Sequence, residues 1–388
     1  MKIIYAILFS AIMMLSPVVR ASEKVSRVIL FTIEGLHWNA PRVLNMPAMN
    51  SLIKEGVYIQ KSDVIIPHRP TVGDYSKFNS CSFSNPVLHQ GTIFIRPENK
   101  MIQEMVPRSA FIVNSDAYSS VGRGFTTSIM DTSLTDGQVV EKAEFILKYN
   151  APVFMRIHLE TPGIMGELVA FRSAPDMPFF RDIFGEGSPY VKAIQEADRL
   201  LGQFISFLKA EGKWEGTVLI VTSDHGQSQA GWHPFLDEDS WVTPLVFAGQ
   251  GIAKGRELPC FGHTDLAPTI AWLLGIEPPN KNGGAGTVVK EIVGETEPRE
   301  LNQPEMSIKT LNHQIKEFNI LKSEIILRAE QDRYLSNFIA TMENQELTPE
   351  PFYHQDRITE WYKAGSTSHL IEANEKILEI MRKVLFIL

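Results

Sequence analysis

Acidic and histidine side chains directly follow three apolar segments of the sequence, residues 28–33, 153–157 and 217–222. The side chains are Glu34, His158, Glu160, Asp224 and His225, with His233 further along the third loop. Mixed carboxylate and imidazole ligands suit zinc and similar divalent ions. If the three segments are neighbouring strands, these residues meet at one edge of a sheet, and we therefore expect a divalent metal site there.

These three segments are typical of strands that are buried on both faces, because their apolar residues run on without alternation. Two further segments share that character, residues 110–113 and 244–248. Helical periodicity lies between the strands, over residues 47–55, 137–148, 190–210 and 265–274. Strands that alternate with helices predict an α/β fold with a mainly parallel sheet flanked by helices. Ligands of such sheets bind beyond the carboxyl ends of the strands, which is where the candidate residues lie.

The composition excludes several classes of protein. The chain has 388 residues, of which 44% are hydrophobic and 21% are charged, so it has enough apolar residues for a large core. Its 45 acidic and 37 basic residues give a formal net charge of −8, and no run of Lys or Arg stands out. We expect no nucleic acid polymer as a partner, because binding to a phosphate backbone requires a basic surface.

The first residues have the features of a cleaved secretory signal, with Lys2, an apolar run and then Pro17. We expect residues 1–21 to be removed and the mature chain to be periplasmic or secreted; an uncleaved anchor is the alternative. Export would place Cys81 and Cys260 in an oxidising compartment, where they either pair or remain two free thiols. No later stretch of the sequence reaches the length of a transmembrane helix.

The character of the sequence changes after about residue 295. We assign residues 25–295 to one α/β domain and residues 300–388 to a helical C-terminal extension. Within the extension, residues 306–343 and 367–386 have helical patterns and no strand signal. We expect these helices to pack against the domain or against a second copy of the chain in a homo-oligomer; contact with a membrane surface is the alternative.

Two blocks of the sequence resemble the alkaline phosphatase superfamily, in the branch that contains nucleotide pyrophosphatases/phosphodiesterases, sulfatases and phosphoethanolamine transferases. The later block, residues 223–279, includes SDHGQSQAGWHPF, TPLVFAGQGIAKG and HTDLAPTIAWLLGIEPP. The earlier block, residues 28–57, is similar to the opening strand, acidic ligand and helix of that superfamily. The resemblance covers about residues 27–293 and implies an alkaline-phosphatase-like, metal-dependent catalytic domain over residues 25–295.

The resemblance also implies a hydroxyl or formylglycine nucleophile in the first third of the chain. We favour Thr71, with Ser76 and Ser80 as weaker candidates and a plain turn residue as the alternative role of Thr71. Formylglycine forms from Cys or Ser followed by x-Pro-x-Arg, and neither the sequence after Cys81 nor the sequence after Ser84 has that pattern. Ordinary sulfatase chemistry is therefore disfavoured.

Carried over by position, the resemblance implies two metal sites. The first would take Glu34, Thr71, Asp224 and His225, and the second Glu160 and His233, with His263 either a further ligand or a residue that opens a helix. The family pattern has Asp at Glu34 and a metal-binding His at Ile164. His158 shares a strand face with Glu160 and could replace that His from another direction. We therefore expect one tight site, with zinc as the favoured ion, and a second, weaker site.

The function implied by the resemblance is an exported metal-dependent hydrolase or transferase of a phosphate ester, with a diester favoured. Its substrate would be a phosphate-ester small molecule or a lipid or glycan head group. The departures at Glu34 and Ile164 leave a second hypothesis, a catalytically inactive family member that binds a ligand or a partner. A sulfatase-like hydrolase without formylglycine is a third.

Overall fold

The computed structural model describes most of the α/β domain and part of the C-terminal extension. The described residues are 24–64, 77–80, 86–89, 92–95, 100–233, 237–240, 242–259, 261–279, 288–294, 368–387 and scattered residues between 310 and 328. Residues 1–21, Thr71, Ser76, Cys81 and Cys260 lie outside them, so the expectations about the signal, the nucleophile and the cysteines stay predictions.

Ten strands form two sheets in the described part of the chain. The strands are β1 (Arg27–Ile33), β2 (Val57–Asp63), β3 (Pro86–His89), β4 (Thr92–Ile95), β5 (Ser109–Val113), β6 (Thr127–Met130), β7 (Phe154–Leu159), β8 (Thr217–Thr222), β9 (Val242–Gly249) and β10 (Arg256–Glu257). The main sheet has the order β10-β2-β9-β8-β1-β7-β5-β6, and β3 pairs with β4 in a separate hairpin. The five strands from β8 to β6 along this order are parallel to one another, whereas β9 is antiparallel to both β8 and β2. The predicted α/β fold with a mainly parallel sheet is confirmed.

Helices cover the sheet and continue into the extension. They are α1 (Ala40–Val43), α2 (Pro47–Glu55), α3 (Lys77–Ser80), α4 (Asp136–Tyr149), α5 (Thr161–Arg172), α6 (Pro189–Ala210), α7 (Leu266–Leu274) and α8 (Ser368–Ile387). Helices α2, α4, α6 and α7 match the predicted ones closely. Neither α5 nor β2 is predicted from the sequence, because the apolar residues of α5 surround the helix instead of forming one stripe and the second half of β2 is polar.

The central strand β1 is buried on both faces, as its unbroken apolar sequence predicts. Ile29, Phe31 and Ile33 pack into a core formed with α2, α4 and α6. Val28 and Leu30 point to the opposite face and pack into a second core, to which α7 contributes. Strand β1 is therefore held rigidly between two layers of helices, and the residues that follow it start from a fixed position.

Asp198 joins helix α6 to the start of helix α2. Its carboxylate accepts hydrogen bonds from the backbone N–H groups of Ala48, at 3.0 Å, and Met49, at 2.8 Å, and the residue is 1% exposed. Helix α2 begins at Pro47, and Met46, the N-cap residue of the helix, makes no side-chain capping hydrogen bond. Asp198 therefore supplies the capping acceptor from outside the helix, and this contact fixes the chain that leaves β1.

The C-terminal helix α8 packs against the helical residues described between 310 and 328. Leu378 and Met381 are buried with Phe318 and Ile325. Arg382 makes ion pairs with two glutamates, Glu317 at 2.6 Å and Glu375 at 2.6 Å. Part of the predicted helical extension is thus present, with its own small apolar cluster. Among the described residues, no helix is both long and apolar enough to cross a membrane.

Replacing Asp198 by Ala should lower the free energy of unfolding by about 2 kcal/mol, because two N–H groups at the start of α2 lose their acceptor. Urea-induced unfolding followed by circular dichroism measures the change. Glu196→Ala is the matched control on the same helix: Glu196 is exposed and pairs with Arg199, so its loss should change stability by less than about 0.5 kcal/mol. Equal effects of the two substitutions would contradict the capping role.

Candidate metal and catalytic site

The carboxyl ends of β8, β1 and β7 meet at one edge of the sheet, because these strands are parallel neighbours. Thr32 of β1 is in register with His158 of β7 and with Thr222 of β8. The backbone N–H of Glu34 continues this register and donates to the carbonyl of the last β7 residue at 3.0 Å. The loops that follow the three strands are therefore neighbours in space.

Glu34, His158 and Asp224 bring three possible ligand atoms within 4.8 Å of one another. Glu34 Oε2 lies 3.2 Å from His158 Nε2, and the side chains of His158 and Asp224 are fully buried. Two carboxylates and an imidazole form a ligand set that zinc and related divalent ions accept. We refer to these three residues as the acidic triad.

The charges of the acidic triad are poorly balanced. Burial raises the pKa of Glu34 well above its usual value, and the nearby carboxylates of Asp224 and Glu160 raise it further. Burial acts in the same direction on Asp224, but His225, His158, the Gly35 N–H and Arg156 together outweigh it and hold the pKa of Asp224 below its usual value. A divalent cation would relieve the repulsion between the carboxylates, so the electrostatics as well as the ligand types fit a metal ion.

Tyr118 lies beside the acidic triad, although no sequence motif predicts it there. Its hydroxyl is 3.0 Å from His158 Nε2 and donates to Asp224 Oδ2 at 3.2 Å, and the residue is 2% exposed. Tyr118 belongs to the turn after β5, the strand next to β7 in the sheet. A tyrosine several residues beyond a strand matches no metal-ligand pattern in the sequence, so only the strand order shows that Tyr118 lies at the site.

The loop after β1 holds the loop after β8 in place. The N–H of Gly35 donates to Asp224 Oδ1 at 3.3 Å, and the N–H of Leu36 donates to Ser223 Oγ at 2.9 Å. Gly35 has a φ of 60°, a conformation that favours glycine, and a Cβ atom there would lie 2.9 Å from Gln227 Oε1. The orientation of the Asp224 carboxylate thus depends on the backbone of the neighbouring loop.

The first turn of α5 closes the acidic triad on the side of Glu34. A Cβ atom at Gly163 would lie 2.6 Å from Glu34 Oε1, so glycine is needed for this close approach. Glu160 is the N-cap residue of α5, and its backbone N–H donates to Asn114 Oδ1 at 3.1 Å. Burial raises the pKa of the Glu160 carboxyl group. Glu160 is not one of the three clustered ligands, but its charge acts on Glu34.

His225 and His233 form a pair of imidazoles beside Asp224. Their ring centroids are 4.1 Å apart, and His225 Nε2 lies 3.6 Å from Asp224 Oδ2. Burial lowers the pKa of His233 to about 3, and the neighbouring His225 contributes to that shift. His233 is therefore neutral near pH 7. Its Nδ1 is buried with no hydrogen-bond partner among the described residues, which leaves a nitrogen able to bind a proton or an ion.

His263 is not part of the clustered triad, and Thr71 lies outside the described chain. His263 Nε2 is 3.1 Å from both Ser62 Oγ and Thr243 Oγ1, so its side chain lies with β2 and β9. Ile164 is in the first turn of α5 and is 47% exposed. Thr71 lies outside the described residues. The metal-ligand role of His263 and the nucleophilic role of Thr71 stay predictions.

Comparison with protein families and known proteins gives a partial match. The Sulfatase family model matches residues 174–276. The multifunctional alkaline phosphatase superfamily protein PehA of Trinickia caryophylli is 37% identical over 103 residues, which are 24% of this chain and 20% of PehA. The matched segment thus spans about a fifth of that relative.

Two solved structures share the fold over most of the domain. BT4656, solved with its substrate D-glucosamine-2-N,6-O-disulfate, has a TM-score of 0.57 at 13% identity and covers 72% of this chain and 83% of its own. Murine ectonucleotide pyrophosphatase/phosphodiesterase 5 was solved as an inactive threonine-to-alanine variant with AMP. It has a TM-score of 0.50 at 14% identity, and the match covers 65% of this chain and 96% of the murine chain. The TM-scores show that the fold is shared, and at identities this low they show nothing beyond the fold. Residues 174–276 therefore match the Sulfatase family model within an alkaline-phosphatase-like fold, and the predicted resemblance to the alkaline phosphatase superfamily is confirmed.

Proposed function

We propose that this chain is a metal-dependent hydrolase of phosphate esters, with diesters as the favoured substrates. The observation that carries the proposal is the acidic triad, in which two carboxylates and an imidazole converge at the carboxyl edge of the sheet. A buried group of this kind with unbalanced negative charge is typical of a functional site rather than of a stabilising contact. Zinc is the metal that we favour, because the triad mixes nitrogen and oxygen ligands.

The preference for phosphate over sulfate rests on two arguments. The chain has no formylglycine motif after Cys81 or Ser84, which ordinary sulfatase chemistry requires. A structural neighbour, the murine phosphodiesterase solved with AMP, is inactive when a threonine is replaced by alanine. This chain offers Thr71 for a corresponding role. The sulfated substrate of BT4656 makes a sulfate ester the competing choice on the same fold.

The proposed reaction uses the residues of this chain in two steps. Thr71 Oγ loses its proton and attacks phosphorus while the P–O bond to one alcohol breaks, and that alcohol leaves with a proton. Water then attacks phosphorus and breaks the bond to Thr71, which releases a phosphate monoester from a diester and returns a proton to Thr71 Oγ. Glu34, His158 and Asp224 would hold the metal ion, which offsets the charge that develops on the phosphate oxygens when it is bound. Tyr118 orients Asp224 and His158 through its hydroxyl. Transfer of the phosphoryl group to an alcohol instead of water would make the same site a transferase.

A catalytically inactive binding protein is the second candidate function. The observation in its favour is Ile164, an exposed apolar residue in the turn where the family pattern has a metal-binding His. Loss of that His weakens the second metal site without affecting the acidic triad. Turnover of a phosphodiester, such as bis(4-nitrophenyl) phosphate, by the purified metal-loaded protein separates the two candidates.

Asp224→Asn should remove bound metal and hydrolysis together, because a neutral amide replaces an anionic ligand that is fully buried. Metal analysis after dialysis and release of 4-nitrophenolate are the two measurements. Asp131→Asn is the control, since Asp131 is exposed and bonds to Ser133. Normal metal content in the Asp224 variant, with activity lost, would show that Asp224 is not a ligand.

Thr71→Ala should lower kcat by at least about 100-fold with metal content unchanged, because loss of a covalent nucleophile removes several orders of magnitude of rate. Thr71→Ser should retain part of the activity, since it keeps a hydroxyl. Ser76→Ala tests the neighbouring hydroxyl as a control. If Ser76→Ala abolishes turnover and Thr71→Ala does not, the nucleophile is Ser76.

Purified protein should retain about one metal ion per chain after dialysis, because three clustered ligands are sufficient to hold one ion. Ile164→His should raise that number toward two, since residue 164 is in the same turn as Gly163, which contacts Glu34. Leu168→His, about one helical turn further from Glu34, is the matched control and should leave the metal content at one. Two tightly bound ions in the unmodified protein would contradict this assignment.

A further inference from the structure

An apolar surface that is open to solvent lies beside His233 and along helix α5. We call it the apolar wall and define it as Ile164, Leu168 and Phe171 of α5 together with Trp232 from the loop after β8. Ile164 is 47% and Phe171 is 62% exposed, so large apolar side chains form a solvent-exposed patch here. The spacing of the three α5 residues places them on one face of the helix. Phe171 meets Trp232 edge-to-face, with ring centroids 5.6 Å apart.

Both parts of the apolar wall are connected directly to the metal-site residues. On the helix side, the turn that carries Ile164 also carries Gly163, which contacts Glu34. On the loop side, Trp232 stacks on His233 with ring centroids 3.9 Å apart and an interplanar angle of 27°. His233 in turn lies beside His225. The apolar wall is therefore placed to contact the organic group of an ester whose phosphate binds at the acidic triad.

The backbone holds Trp232 in a conformation that is unfavourable for its residue type. Its φ is 67°, in the left-handed region that bulky residues rarely adopt. Hydrogen bonds fix this loop: the N–H of Ser228 donates to the Trp232 carbonyl at 2.9 Å, and Ser228 Oγ donates to the Gly231 carbonyl at 2.6 Å. Gly231 packs against the backbone of α5 at Ala170. Strain that the surrounding structure maintains is commonly associated with a functional position.

The length of the apolar wall limits the kind of group that it can bind. From Ile164 to Phe171 the helix rises about 10 Å, which matches one or two rings better than a long acyl chain.

We propose that the apolar wall binds an aromatic ring of the substrate, so that the preferred substrates are aryl esters of phosphate. This inference rests on the proposed function and specifies its substrate class. Trp232 and Phe171 present an edge-to-face pair to the ring, and aromatic contacts of this kind add to the effect of apolar burial. Ile164 supplies further apolar surface in the first turn of α5, at the position where the family pattern has a polar His.

The test compares two diesters that share one leaving group, phenyl 4-nitrophenyl phosphate and methyl 4-nitrophenyl phosphate. The metal-loaded wild-type protein should have a kcat/KM for the phenyl ester about tenfold or more above that for the methyl ester, as burial of a ring predicts. Trp232→Ala and Phe171→Ala should each reduce this ratio several-fold, and Trp232→Phe should restore part of it. Phe145→Ala is the matched control. Phe145 is also 62% exposed on a helix, but it lies near the end of α4 remote from the site, so both rates should be unchanged.

The possible outcomes separate this inference from the proposed function. A ratio near one in the wild-type protein, or a high ratio that both alanine variants retain, would overturn the role of the apolar wall while leaving the hydrolase intact. If neither ester is hydrolysed, the proposed function fails. Calorimetry of phenylphosphonate and methylphosphonate binding to the metal-loaded protein then tests the inference separately. Equal affinities for the two compounds refute it. Tighter binding of phenylphosphonate supports it if Trp232→Ala abolishes the difference.

Discussion

Repulsion between buried carboxylates at adjacent strand ends is the constraint on which this structure depends. Parallel pairing of β1 with β8 and β7 brings Glu34 and Asp224 together, with Glu160 close enough to add its charge. Without compensation, such an arrangement destabilises the folded state, because each ionised group penalises the others in a medium of low dielectric constant. The remaining features of the site reduce this penalty or hold the groups against it.

The two carboxylates are compensated differently. Asp224 receives hydrogen bonds from Tyr118 and from the Gly35 backbone and lies beside His225, so its ionised form is favoured despite burial. Glu34 lies next to the first turn of α5. The partial positive charge at the start of a helix offsets only part of the repulsion between Glu34 and the other carboxylates. A metal ion would complete this balance, which is the physical reason for treating the cluster as a metal site instead of a structural network.

Apolar side chains of α5 and of the loop after β8 lie beside the metal-site residues. Trp232 links the two regions, because one ring contacts both His233 and Phe171. Ile164 and Phe171 are open to solvent in the free protein. A bound aryl group would cover this surface, and the water that it excludes would otherwise weaken the charge interactions inside the site.

The pattern of apolar segments predicts the layers of the fold and most of the polar residues at the sheet edge. The apolar segment within β1, residues 28–33, is typical of a strand covered on both sides, and polar residues that follow such a strand emerge at the edge of the sheet. Tertiary contacts select which of these residues meet. Tyr118 and Trp232 reach the site through strand order and a strained loop, whereas His263 is drawn to Ser62 and Thr243. Strand order and loop conformation depend on contacts between distant parts of the chain, and residue spacing along a single sequence carries no record of those contacts.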